Sequence, residues 1–204
     1  MIKRFTERLA QWQKFHGRHD LPWQNRGAYE TWISEIMLQQ TQVKVVIPYY
    51  EQFIVRFPNV QKLANAPLDD VLSHWAGLGY YSRARNLHQT AKIIISEFQG
   101  IFPNEIDDLI KLPGIGRTTA GAIKSLAFNQ RGPILDGNVK RVLSRLEGRT
   151  LSMNETQSIA DQNLPKGEGW RWNQAMIEIG ATICTARKTQ CGNCPLKATC
   201  AWAK

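Results

Sequence analysis

Four cysteines crowd the end of the 204-residue chain: Cys184, Cys191, Cys194 and Cys200, spaced C-x6-C-x2-C-x5-C. Three chemistries suit such a set. Two disulfides would need an oxidising compartment. A structural zinc takes four thiolates in a tetrahedron. An iron–sulfur cube also takes four, and a compact loop with unequal gaps can wrap it. Four thiols in so short a window favour metal binding and leave iron against zinc open. Arg187 and Lys188 lie between the first two cysteines, and Lys197 follows later. Cations on a rigid loop can grip phosphate, or they can simply keep the loop soluble.

Two acids stand out next. Glu35 falls off the apolar stripe Tyr29/Trp32/Ile33/Ile36 by about a third of a turn at 3.6 residues per turn, so it does not point into the core that this stripe builds. The amide-rich run Leu38-Gln39-Gln40-Thr41-Gln42 follows it. Asp136 lies in Pro133-Ile134-Leu135-Asp136-Gly137-Asn138, just ahead of a helical pattern, where a carboxylate commonly caps the first turn. Leu112-Pro113-Gly114-Ile115-Gly116 separates two helical segments. Gly114 and Gly116 let the chain reverse and bring backbone N–H groups close to a ligand. The helix expected to start near Thr118 offers its N-terminus to an anion, making the turn a candidate phosphate clamp.

The elements that must position these groups read as helices. Apolar residues recur three and four apart at Ile2/Phe5/Leu9/Trp12, Tyr29/Trp32/Ile33/Ile36/Met37, Ala84/Leu87/Ala91/Ile94/Phe98 and Trp172/Ala175/Met176/Ile179/Ile183. Shorter helices are expected over residues 68–75, 106–111, 118–127, 138–146 and 154–164. Residues 43–57 also read as helix, with Pro48 expected to open or kink it. Strand-like alternation is almost absent and the punctuation is short, so the fold class is all-α. The net charge of +9 favours a polyanionic partner, with nucleic acid ahead of membrane because no segment is basic on one face and aromatic on the other. The aliphatic runs are too short to span a bilayer, and the N-terminus has no secretory pattern. The expectation is a soluble protein of a reducing interior.

Taken together, Leu21-Pro22-Trp23, the run from Ser34 to Gln42, Gly77-Leu78-Gly79-Tyr80-Tyr81, Leu112–Arg117, Ile134–Val139 and the four cysteines occur in a characteristic order. From Leu21 to Cys200 the sequence resembles the adenine DNA glycosylases of the helix-hairpin-helix superfamily, the MutY family.

The resemblance implies a two-lobed helix-hairpin-helix fold with the DNA cleft between the lobes. A six-helix lobe would cover residues 22–131, and residues 1–21 with 132–204 would form a cluster lobe. It implies a 4Fe-4S cluster on the four cysteines, structural because hydrolysis moves no electrons. It makes Glu35 the acid that protonates adenine N7, holding its proton through burial beside residues such as Leu38. It makes Asp136 the carboxylate that supports positive charge on the sugar or attacks it transiently. Asn138 would orient Asp136 or a water, and Gln174 would contact the adenine edge. Gln40, Thr41, Leu78 and Tyr80 would wedge into the duplex and meet the opposite base, 8-oxoguanine or guanine. Lyase relatives carry a Schiff-base lysine where this chain has Thr118, which implies a monofunctional enzyme. Lys124, about 120° further around the helix at 3.6 residues per turn, is a poor substitute. The partner would be double-stranded DNA with A:8-oxoguanine or A:G, met by a monomer, cytoplasmic and nucleoid-associated if bacterial. The 8-oxoguanine-recognition domain of many members is expected to be absent, since four residues follow Cys200.

Overall fold

The computed structural model describes residues 2–203 without the side chains of residues 2–4, so Met1, Lys204 and the Ile2 side chain of the first stripe lie outside the described residues. Among the described residues the backbone is helical with no strand, and an isolated antiparallel bridge joins Cys184 to Thr189. The chain divides into two compact units. A central unit holds Asp20–Phe128, and a terminal unit holds Met1–His19 with Asn129–Lys204. Each has its own hydrophobic core.

Helix α1 (Ile2–His16) belongs to the terminal unit and buries Phe5 and Leu9. Lys14 occupies its last turn, where a cation interacts favourably with the helix dipole. The central unit follows with α2 (Ala28–Leu38), α3 (Val43–Arg56), α4 (Val60–Asn65), α5 (Leu68–Ser73), α6 (Tyr81–Phe98), α7 (Ile106–Leu109) and α8 (Arg117–Ala122). The α2 stripe of Tyr29, Trp32, Ile33, Ile36 and Met37 is buried throughout, and the Tyr29 hydroxyl donates to the Phe57 carbonyl at 2.6 Å. Trp32, Phe53, Phe57 and Trp75 fill this core, each fully buried side chain contributing about 1.5–3 kcal/mol.

Three local features depart from the spacing. Pro48 does not open α3 but lies inside it, on the exposed side, where water can serve the carbonyl its missing N–H leaves bare. Helix α4 is too short to show periodicity, and it starts because the Asn59 side chain accepts from the Lys62 N–H at 2.9 Å. The helix expected over residues 118–127 is α-helical only to Ala122 and continues as a π-turn over Ile123–Ala127.

The terminal unit resumes with α9 (Gly137–Glu147), α10 (Met153–Asn163) and α11 (Gly169–Thr182). Helix α11 packs on both α1 and α9, burying Trp172, Met176 and Ile179 beside Leu9 and Val139. A capping box starts α10: the Ser152 hydroxyl accepts from the Glu155 N–H at 3.2 Å, and Glu155 accepts from the Ser152 N–H at 2.8 Å.

Candidate functional site

In the terminal unit Asp136 is the N-cap of α9, accepting from the Val139 N–H at 2.8 Å through one oxygen. Its other oxygen accepts from the Asn138 side-chain amide at 2.9 Å. Capping and a chemical role are therefore compatible, because each oxygen has a different donor. Arg141 supports Asn138 in turn: its guanidinium donates to the Asn138 side-chain oxygen at 2.8 Å, to the Gly180 carbonyl at 2.7 Å and to the Cys184 carbonyl at 2.9 Å. The segment leading to Asp136 is pinned by fully buried Asn173, which accepts from the Ile134 N–H at 3.0 Å and donates to the Gly132 carbonyl at 2.8 Å. Gln174 lies next to Asn173 on α11 and is half-buried.

All four cysteines are unbridged. Their loop is built from single 3-10 turns, and Arg145 staples its start by donating to the carbonyls of Cys184, Thr185 and Ala186 at 3.2, 2.7 and 3.2 Å. The same guanidinium reaches the Cys184 sulfur at 3.2 Å and stacks 5.0 Å from the Trp202 ring centre. Burial pushes the Cys194 thiol up, and Cys184, Cys200 and Cys191 all lie near enough to push it further. Among the described residues no three such side chains stand as a site for a single metal ion. The donor set is chemically suited to a metal group, since four free thiols lie on one short loop. Arg187 and Lys188 are exposed on that loop, and an exchange of hydrogen bonds between Thr185 and Lys188 tightens the turn between them and Cys184.

In the central unit Glu35 is half-buried on α2 between buried Ser34 and Ile36, with half-buried Leu38 a turn further on. The hairpin turns as expected. Gly114 has φ +79, a conformation that disfavours any Cβ, and a Cβ there would meet Asn86 at 3.1 Å. A Cβ on Gly116 would meet nothing within 4 Å, so its backbone is open to an approaching group. Buried Ile115 anchors the turn, and Thr90 donates to the Pro113 carbonyl at 2.9 Å. Thr118 follows, half-buried in the first turn of α8. The Lys124 ammonium pairs with Glu105 at 2.7 Å.

Gln40, Thr41, Leu78 and Tyr80 occupy two loops of this unit that are joined by a charged side chain, Arg83, lying outside the sequence motifs. Arg83 is buried and donates to the carbonyls of Ile36, Met37 and Gln39, to the Thr41 hydroxyl, and to the carbonyls of Leu78 and Gly79. Gln40 and Tyr80 are exposed and Thr41 is half-buried, whereas Leu78 is part of the core at 6% exposure. Arg83 leaves a signal in the sequence: it precedes Leu87 by four positions and so shares the buried face of α6. Asn173 leaves none, because Ile134 and Gly132 are distant in sequence, and Arg141 shows only its i,i+3 spacing from Asn138, while the Gly180 and Cys184 carbonyls it also holds lie far along the chain.

A model of the HhH-GPD superfamily of base excision DNA repair proteins matches residues 33–166. The chain belongs to that superfamily. Among curated HhH-GPD relatives, an adenine DNA glycosylase from Buchnera aphidicola is 50% identical over 201 residues, covering 96% of this chain and 57% of its own length. The chain thus spans a little over half the length of such relatives. Among solved structures, a thermostable thymine-DNA glycosylase superposes with a TM-score of 0.92 at 26% identity, covering 98% of this chain and 95% of its own. An endonuclease III bound non-covalently to DNA superposes at 0.84 with 26% identity, covering 99% and 94%.

Proposed function

We propose that this member of the superfamily excises adenine from double-stranded DNA by hydrolysing its N-glycosidic bond, with 8-oxoguanine or guanine as the opposite base. The observation that carries the reading is the doubly held Asp136 carboxylate, fixed by the Val139 N–H and the Asn138 amide in a chain half identical to an adenine DNA glycosylase. One hydrogen bond from a backbone cap would serve a helix. A second, itself braced by Arg141, serves a carboxylate whose direction matters.

The chemistry follows from the bond broken. The target nucleotide leaves the stack to reach the protein's acids. Glu35 gives a proton to adenine N7, which makes the base a competent leaving group, and the C1′–N9 electron pair departs with it. Asp136 supports the positive charge on the sugar, or bonds to it transiently, until water adds at C1′ and loses a proton. Asn138 keeps Asp136 oriented, and Gln174 meets the adenine edge. The backbone at Gly114 and Gly116 with the cations Arg187 and Lys188 holds phosphates. Gln40, Thr41 and Tyr80 meet the duplex at the opposite base, and Leu78, buried in the core, anchors their loop instead of wedging. Cys184, Cys191, Cys194 and Cys200 hold a 4Fe-4S cluster, which supplies structure rather than electrons, as hydrolysis is redox-neutral.

Thr118 carries no amine where lyase relatives carry a lysine, and Lys124 pairs with Glu105, which supports a monofunctional enzyme. A second reading, excision of thymine opposite guanine, draws on the thymine-DNA glycosylase superposition. A pyrimidine has no N7 for Glu35 to protonate, which favours adenine. Base release is scored after alkali on duplexes carrying A:8-oxoguanine, A:G and T:G. Release from the first two is expected; release from T:G alone sinks the adenine assignment, and a strong borohydride-trapped adduct sinks monofunctionality.

A further inference from the structure

Two loops of the central unit, residues 38–42 and 77–80, are strained at their tips. Gln40 and Tyr80 both hold left-handed backbone, with φ 58 and 51, which side chains bearing a Cβ rarely adopt. Such strain persists only where the surroundings over-determine it. Here one side chain supplies the constraint. The Arg83 guanidinium, 8% exposed as a residue, donates to the Gln39 carbonyl and to the Thr41 hydroxyl at 3.2 Å on the first loop. On the second it donates to the Leu78 and Gly79 carbonyls at 3.4 and 3.2 Å. It also lies 5.4 Å from the centre of the Tyr80 ring, which is 59% exposed. A hydrocarbon would fill this space without desolvating a charge. What it could not do is bond both loops at once from a planar fork of donors.

We infer that Arg83 is a positioning residue that makes the Gln40–Thr41 and Leu78–Tyr80 loops a single rigid reader, with the Tyr80 ring held ready to wedge beside the base opposite the excised nucleotide. This rests on the adenine-excision reading above. Arg83 touches no reacting atom, so its loss weakens recognition of the opposite base and spares the chemical step. Lysine keeps the charge but has three donors on a flexible stem and no plane to stack.

The full chain with Arg83→Lys is compared with Arg83→Gln and with Leu87→Ala, a cavity on the same helix that bonds neither loop. The probes are duplexes with adenine opposite 8-oxoguanine, guanine or cytosine, and a duplex with 2-aminopurine beside the opposite base. For Arg83→Lys and Arg83→Gln, base release at saturating protein stays within about threefold, while duplex Kd rises about tenfold, the scale of one lost stacking contact. Discrimination against cytosine and the 2-aminopurine fluorescence rise are lost with it. Leu87→Ala lowers the Tm and leaves discrimination and fluorescence intact. If the Arg83 variants behave like Leu87→Ala, the inference is overturned. Should neither Arg83 variant fold, hydrogen exchange of the unsubstituted protein decides: common opening of the two loops supports a single reader, and independent opening refutes it. Failure of the unsubstituted protein to release adenine counts against the proposed function alone, since binding, fluorescence and exchange still judge Arg83.

Discussion

The Asn138 amide and the Val139 N–H divide the two oxygens of Asp136 between them, at 2.9 and 2.8 Å. Helix capping and reaction chemistry can therefore be separated by substitution. Asp136→Asn keeps an oxygen for the cap, because asparagine caps as well as aspartate, and should lower the Tm only modestly, through the bond from the Asn138 amide that its NH2 cannot accept. Base release should fall by about a hundredfold or more, the scale of a lost acid–base or charge-supporting group. Asp136→Ala should lose activity and, in addition, about 1 kcal/mol of stability. Asn138→Ala should cost about tenfold to a hundredfold in release, as for a hydrogen bond to a charged group. Paired melts and single-turnover assays check this; full activity in Asp136→Asn removes the mechanism.

Gly180 allows α11 to approach the start of α9. A Cβ there would lie 2.6 Å from the Asn138 Cβ and 3.2 Å from its backbone. Gly180→Ala must push Asn138 away from Asp136 or part the helices. The expected result is a loss of about 1–3 kcal/mol in urea unfolding, with base release reduced beyond what the unfolded fraction explains. A variant as stable and active as the parent would show that this contact is not tight.

The capping box of α10 sets an acid limit. The Ser152 N–H, then Arg149 and the Ser152 hydroxyl, hold Glu155 down at about 2, against an ordinary 4.5. A depressed folded value means that the contribution is complete above about 4.5 and is lost as pH falls toward 2, since protonation then favours the unfolded chain. Glu155→Gln should flatten this part of the stability–pH curve while changing stability little below it. Unfolding series across that window test it, and an unchanged slope counts against the box.

Cysteine substitution separates iron from zinc. Purified protein should be yellow-brown with broad visible absorption and should contain iron and sulfide. Cys200→Ser should lose colour and Tm together, because Cys200 is buried and a serine hydroxyl is a poor replacement for an iron-binding thiolate. Colourless protein carrying one zinc per chain would replace the cluster with a tetrahedral ion.

Much of this molecule was legible in its sequence because helices bury residues at a fixed period. The stripes on α2 and α11 are buried as their spacing required, and the hairpin glycine has its positive φ. The π-turn after Ala122 was not legible, since packing overrides local propensity.

Residue types and spacing determined the helical class, the acids and thiols available for chemistry, and the cationic balance that suits a phosphate polymer. The tertiary structure alone decided which groups hold them. Asn173 clamps the approach to Asp136 across 39 positions of sequence, Arg141 ties the start of α9 to the Gly180 and Cys184 carbonyls across as many as 43, and Arg83 ties two loops together across as many as 47. Hydrogen bonds of that kind have no period, because a donor finds its acceptor only after the cores have brought distant backbone within 3 Å or so.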